Sequence, residues 1–599
     1  MSQVIVRDVL GLDMTREIWS GNFEKALPIS IQNFDLASVL PAVFYMFRRG
    51  FRRGKGNFLK TFGTTSGNSK EQPVTIERVT AKLLENNHFQ GFDGETAQAI
   101  LGDLLLCYCL ENSKRELGRD KPIQRVAPAH YMASWVDLPD KVAHLRFVPE
   151  SIVAILANQK GDFIQQNHEG DRTWFAVGRG FEDNVLLKVF HQGIVREGEM
   201  ASLDSDRFVE DKPVSMDQLL MIRMAQKLLR APEKLRGTER PTISNQRPIS
   251  EKADGEFSED MRRFIRAYAG IIPRHSFVDL LESCMSVGLI TIISSVIEIL
   301  FKWADTGEVP NKAEQKSASI LIDCSNGVDR RLRTIAEQSM SDFMRRIERF
   351  PVVLMALRLL DFEARYDPKI KQMNIPTKPY ATEWLNMLGK LLHKKNAGAE
   401  AIHYDLERKA QQLSEKLKKD YPDISQILSS EESLHNPVWR LAESLTSLQG
   451  RESTQANLIK LINSALLMGR PNGLASKRRI RYSDMLTSKK TREVRSLIFS
   501  DSVLDYLVHL HVLRSGNSSG VRSLSFKEFI DKLRTRYGFY VDVAPQGMTI
   551  SNELLQANRV FLERRLRDLG LLVGVNDAEA MKRLHPRFEP VNGGENGMD

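Results

Sequence analysis

In "SILIDCSNGVDRR", Cys324 is followed by five residues and then Arg330, the spacing of a thiolate nucleophile and a phosphate-binding arginine. Such a loop holds the thiolate beneath a phosphate whose oxygens are bound by backbone N–H groups and the arginine. An apolar segment suited to a strand precedes it, as that chemistry requires. Two features depart from the pattern: Arg331 stands where Ser or Thr usually follows, and long helical patterns flank the loop in place of parallel strands. The expected structure is therefore a turn into a helix with Cys324 buried, and phosphate-ester cleavage is kept as an alternative function.

The other chemical motifs are weaker. Glu314-x-Lys316 in "WADTGEVPNKAEQKSA" has the shape of a nuclease metal site without its Pro-Asp partner or flanking strands. In "GFRRGKGN", Gly50 and Gly54 enclose three residues and Lys55 is followed by Gly56, which does not make a phosphate loop. The phenylalanines there, Phe47, Phe51, Phe58 and Phe62, are expected to anchor a core, with base stacking as the alternative. "VGRGFEDN" reads as a hairpin turn. His509 and His511, two apart on a helix, face different directions and make no metal pair. No Cys/His cluster has zinc spacing, so no metal, cofactor or catalytic residue is assigned and a non-enzymatic protein is expected.

The elements that carry these residues belong to a chain of 599 residues with 42% hydrophobic and 27% charged residues. That length implies roughly three to five domains. The longest apolar run, "CMSVGLITIISSVIEILF", is interrupted by serines, Thr291 and Glu298, and predicts a buried core helix with no membrane span. No signal peptide is visible in the N-terminal sequence, and four cysteines suit a reducing compartment, so a cytoplasmic location is expected. The formal net charge is +9, concentrated in residues 46–63 and 469–495.

The predicted fold class is mainly α and multidomain, with a small α+β region near 130–200 and a C-terminal module like a winged helix-turn-helix. The expected divisions are an N-terminal region 1–125 with a basic Gly-rich loop and an α+β domain 126–230. A linker 231–257, a helical domain 258–468 and a basic linker 469–495 follow, then the winged-helix-like module 496–590 and a disordered tail 591–599. Strands are expected in "KVAHLRFV", "RTWFAVG" and "NVLLKVFHQGIV". Residues 231–257 carry three prolines and almost no large apolar side chain, which reads as a linker.

The C-terminal module has the clearest local signals. Ser525 and Glu528 form a capping box, and Gly538 closes the helix they begin. In "SNELLQANRVFLERRLRDLG", Leu555, Leu562, Leu566 and Leu569 share a face. Gln556, Val560, Glu563, Arg564 and Arg567 fall opposite, with Arg559 at the edge, while Arg565 lies within the apolar arc as a snorkelling or ion-paired structural residue. Gln556, Arg559, Arg564 and Arg567 are the candidate DNA contacts of this helix. Lys477, Arg478, Arg479, Arg481, Lys489 and Lys490 of the preceding basic segment are candidate phosphate anchors. A solvated face with a Glu563–Arg567 pair, or a protein-docking helix, are the competing readings.

Two stretches, "ILIDCSNGVDRRLRTIAEQSMSDFMRRIERFPVVLMALRLLD" and "RRLRDLGLLVGVNDAEAMKRLHPRFE", resemble accessory proteins of bacterial antiphage defence operons, in particular the methylation-associated defence system. The resemblance covers the C-terminal two thirds and brings no catalytic residue with it. It implies a non-catalytic component that contacts DNA and bridges other subunits of the same system. The alternatives are a cysteine-dependent phosphatase or nuclease, and a pure protein scaffold.

Overall fold

The structure, a computed structural model, describes residues 2–50, 52, 54, 57–63, 74–85, 89–112, 122–136, 145–157, 166–169, 172–175, 184–196, 206–208, 213–229, 245–396, 398–430, 436–483, 489–514, 520–574 and 582–590. It is mostly helical with small sheets, and it divides into two compact units. The first comprises Met1–Asn33, Gln246–Asp260 and Ser283–Arg587; the second comprises Phe34–Asn245, Met261–Glu282 and Phe588–Asp599. Neither is continuous in sequence, unlike the stepwise divisions expected from composition.

The first unit is built on helix Arg274–Thr306, of which residues from Ser283 onward belong to it. Its central run Met285–Leu300 is buried almost throughout, so the apolar segment is a core helix. Gly288 lets helix Glu251–Tyr268 approach closely, because a Cβ there would lie 2.1 Å from the Phe257 ring. A four-stranded sheet runs in the order Phe539–Tyr540, Ile320–Asp323, Lys489–Ile498, Ala475–Ser483. The first three strands are parallel and the last two form an antiparallel hairpin. Ile320–Asp323 is buried at every position, as a strand paired on both edges beneath helices must be. Helix Arg330–Ile347 follows it and packs along both the central strand and the hairpin.

The segment expected as a basic linker is therefore a paired hairpin. Its alternating charged residues tolerate pairing because the strand edges, not the side chains, make the ladder. The expected linker 231–257 is also corrected over its described part. Helix Glu251–Tyr268 starts inside it, and Arg247 and Asp254 form a buried ion pair at 2.8 Å. Residues 231–244 and the tail 591–599 lie outside the described residues.

After the hairpin come helix Asp501–His511, strand Leu524–Ser525, helix Phe526–Tyr537, strand Phe539–Tyr540, helix Asn552–Asp568 and strands Leu572–Val573 and Arg583–Leu584. Leu524–Ser525, Arg583–Leu584 and Leu572–Val573 pair antiparallel in that spatial order. The capping box is formed, with Ser525 Oγ accepting from Glu528 N–H and Glu528 accepting from Ser525 N–H. Gly538 ends the helix at φ 73°.

The second unit holds the small α+β region. Phe44, Phe190, Phe264 and Phe277 form its aromatic core, the last two stacked at 5.6 Å. Arg172–Phe175 is a strand as expected, paired with Gln166–Glu169. "NVLLKVF" is instead helix Val185–Phe190, because Asn184 caps it by accepting from the N–H groups of Leu186 and Leu187. Val148 likewise opens helix Val148–Leu156, and residues 141–144 of that expected strand lie outside the described residues. Phe47, Phe58 and Phe62 are buried, as expected of core anchors. Phe51, Lys55 and Gly56 lie outside the described residues, as does most of "VGRGFEDN".

Candidate nucleic-acid interface

The Cys324 loop sits at the C-terminal end of the central strand and leads into a helix capped by Asp329. Each N–H from Cys324 to Asp329 is occupied. Cys324 donates to Asn558 Oδ1 at 2.9 Å, Ser325 to Asp323 Oδ1 at 2.9 Å, and Gly327 to Asp323 Oδ2 at 2.9 Å. Asn326 donates to Asp323 O at 3.3 Å, Val328 to Ser325 O at 3.2 Å, and Asp329 to Ser325 Oγ at 3.0 Å. The place where a phosphate would accept N–H bonds is thus filled by the Asp323 carboxylate, whose charge repels another anion. Burial raises the Asp323 carboxyl above its ordinary value, while the bonds from Ser325 and Gly327 pull the other way. Burial also pushes the Cys324 thiol up, the opposite of what a nucleophile needs. Arg330 is exposed.

Helix Asn552–Asp568 buries Leu555, Asn558, Leu562 and Leu566. Asn558 fixes it to the sheet: besides accepting from Cys324, its amide donates to Ile322 O and Val541 O, each at 2.9 Å. On the outer face Gln556 and Arg564 are exposed, with Val560 60% exposed between them. Arg564 lies 4.0 Å from Asp568. Arg567 is held by Glu563 at 3.0 Å and by the Gly574 carbonyl at 3.0 Å. Arg559 lies over the Phe526 ring, 3.9 Å from Asp542, with its side chain 17% exposed. Arg565 pairs with Asp501 at 2.7 Å, the second of the two structural roles its place in the apolar arc allowed. Of the arginines singled out on this helix, Arg564 is the one that projects fully.

The hairpin gathers more charge. Its register sets Lys477 opposite Arg495 and Arg479 opposite Glu493, so these four share one face. Glu493 is 2.8 Å from Lys477, 3.6 Å from Arg479 and 3.3 Å from Arg495. The Lys477 hydrogen bond chiefly holds the Glu493 carboxyl below its usual range. On the other face Arg478 clasps Glu337 of helix Arg330–Ile347 and Arg492 is exposed. Arg481 pairs in register with Thr491, Tyr482 with Lys490 and Ser483 with Lys489; the side chains of Arg481, Lys489 and Lys490 lie outside the described residues.

The two candidate sets occupy different ends of the sheet. Leu497 and Ile498 pair with Ile322 and Asp323, so the rest of the hairpin runs past the start of the central strand. Asn558 docks helix Asn552–Asp568 at that strand's other end.

A family model described as methylation-associated defense system protein MAD7 matches residues 22–588. The chain belongs to that family. No curated protein and no solved structure matches it. Membership carries a role in the methylation-associated antiphage defence system, with other components of that system as its setting. In this methylation-associated defence protein, sequence reasoning missed Asn558 and Glu337. Asn558 shares the helical period of the leucine face, a signal that a polar residue among buried positions has partners to satisfy. Among the described residues no group of His, Cys, Asp and Glu could hold a metal. Glu314 pairs instead with Lys302 at 3.2 Å, and His509 with Asp505 at 3.0 Å.

Proposed function

We propose that this protein is a non-catalytic component of its defence system that contacts DNA through the basic hairpin and bridges other subunits through its C-terminal module. The observation that carries the DNA contact is the hairpin register, which sets Lys477, Arg479 and Arg495 on one face around Glu493. A projecting two-stranded ribbon of net positive charge suits phosphate contact along a duplex. The occupied N–H groups of the Cys324 loop support a role without phosphate chemistry.

For the C-terminal module, the order helix, strand, helix, strand, helix, strand, strand supports a winged-helix reading, with Phe539–Tyr540 joining the four-stranded sheet and the other three strands pairing antiparallel. Its outer helix face, with Val560 between Gln556 and Arg564 and acids Glu553 and Asp568 near the ends, is close to neutral. That composition favours a protein partner over a phosphate backbone.

The test is binding of a labelled duplex across a salt series. Lys477 and Arg479 changed together to Ala should weaken binding and make the log–log salt slope shallower by up to about 1.8, at ~0.9 per phosphate contact. Arg564→Ala should leave the slope unchanged, without the fall of ~0.9 that the loss of one phosphate contact would bring. Equal slopes for the wild type and the hairpin variant, or no wild-type binding at low salt, would overturn the proposal.

A further inference from the structure

Arg358, on helix Phe350–Tyr366, is 5% exposed and has no carboxylate partner among the described residues. Its Nε donates to Leu354 O at 3.2 Å and its Nη1 to Ile18 O, so both bonds go to neutral carbonyls. Burial alone pulls its pKa down to about 9, with no neighbouring charge acting on it. A buried cation without an anion is costly, and native interiors normally pair it. Elsewhere in the first unit the rule is kept: Arg247 has Asp254, and Arg536 has Asp260 at 2.5 Å.

Arg358 lines an open cavity of about 130 Å³. The first turns of two helices contribute to its wall, through Phe350, Pro351 and Leu354 on one side and Thr454, Asn457 and Leu458 on the other. The first-turn N–H groups of both helices are bonded within the chain, those of Val352 and Val353 to Arg349 O, that of Ala456 to Arg451 O and that of Leu458 to Thr454 O, so the charge of the cavity comes from Arg358. Gln32 and Gln449 add amide groups, and Gln449 donates to the same Ile18 carbonyl at 3.0 Å. No acidic residue lines the cavity.

We propose that this cavity binds a small oxyanion, a phosphoryl or carboxylate group, held by the buried Arg358 guanidinium with the Gln32 amide on the same wall. The guanidinium has five N–H donors, more than the two neutral carbonyls it meets can take, and its charge suits either anion. The cavity volume sets the size of the bound group, and the opening leaves room for the rest of a larger molecule to project outward.

The experiment is thermal unfolding of the full chain in chloride, inorganic phosphate and acetate at matched ionic strength. The wild type should gain roughly 2 °C or more in phosphate, in acetate or in both, as a ligand that binds only the folded state requires. Phosphate also stabilises proteins in general by exclusion from their surface, so the comparison with Arg358→Met is decisive. That variant keeps the volume, removes the charge and should lose the anion-specific gain. A gain in phosphate alone assigns a phosphoryl ligand, and a gain in acetate alone a carboxylate. Equal gains in wild type and Arg358→Met, or no gain in either, would overturn the proposal. If Arg358→Met does not fold, Asn457→Asp serves. Its carboxylate, at the helix end on the cavity wall, should raise the melting temperature in chloride and shrink the anion gain. A full wild-type gain in Asn457→Asp would overturn the proposal as well.

Discussion

Replacing Asn558 with Ala tests how the C-terminal module is held to the sheet. The substitution removes the acceptor for Cys324 N–H and the donors to Ile322 O and Val541 O, all three bonds 2.9 Å long. The residue is 1% exposed, so solvent does not replace these partners from outside. A buried group left unpaired costs about 1–3 kcal/mol. The N–H has no second partner, whereas a water entering the vacated space would recover part of the carbonyl cost. The expected loss is about 3–5 kcal/mol. At ~2.1 cal/mol/K of unfolding entropy per residue, a unit of about 350 residues shifts by roughly 1.3 °C per kcal/mol, so the transition involving this unit should fall by about 4–7 °C. Asn558→Asp keeps the acceptor but sets a charge against two carbonyl oxygens, and should do no better. The assay is calorimetry of the full chain. A fall of less than about 2 °C for Asn558→Ala would refute the reasoning, since it would mean that the three bonds are not made or are freely replaced.

Cys324→Ala should cost no more than about 1–2 kcal/mol and leave phage protection intact in cells carrying the complete system, because the thiol is a small buried apolar group. Lost protection with normal folding would restore the enzyme reading. Asp254 gives a pH dependence: burial raises its carboxyl from 3.8 to about 7 against the pull of Arg247 and Tyr380. The folded state then holds a proton that the unfolded state has released, so between about pH 4 and pH 7 stability falls as pH rises, by up to ~1.4 kcal/mol per unit. Asp254→Asn should flatten that part of the profile, and an unchanged melting-temperature difference between the two pH values would count against it. Gly538→Ala combines a φ of 73° with a Cβ placed 2.3 Å from Ala318 O, so a melting-temperature drop of several degrees is expected, and no drop would contradict the close approach.

Local signals were legible wherever the chain settles its own hydrogen bonds or buries a periodic face. The Ser525–Glu528 box, the Gly538 stop, the leucine face of helix Asn552–Asp568 and the core helix around Met285–Leu300 all depend on neighbours within a turn or two. The turn after Asp323 and the burial of Cys324 were readable for the same reason, and the family resemblance lay in the same stretches. The hairpin was not, because alternating Lys and Arg carry no apolar face. What makes Ala475–Ser483 and Lys489–Ile498 strands is a ladder between them and a parallel pairing with Ile320–Asp323, more than 150 residues away. "NVLLKVF" had strand composition, yet the Asn184 cap supplies the donors' partners and tips it to helix. Which arginines are available was likewise beyond sequence. Arg559 and Arg567 fall on or near the outer face by angle, but Phe526, Asp542, Glu563 and the Gly574 carbonyl occupy them. Helical angle assigns a direction, whereas the availability of a charge depends on partners that tertiary packing brings from elsewhere in the chain.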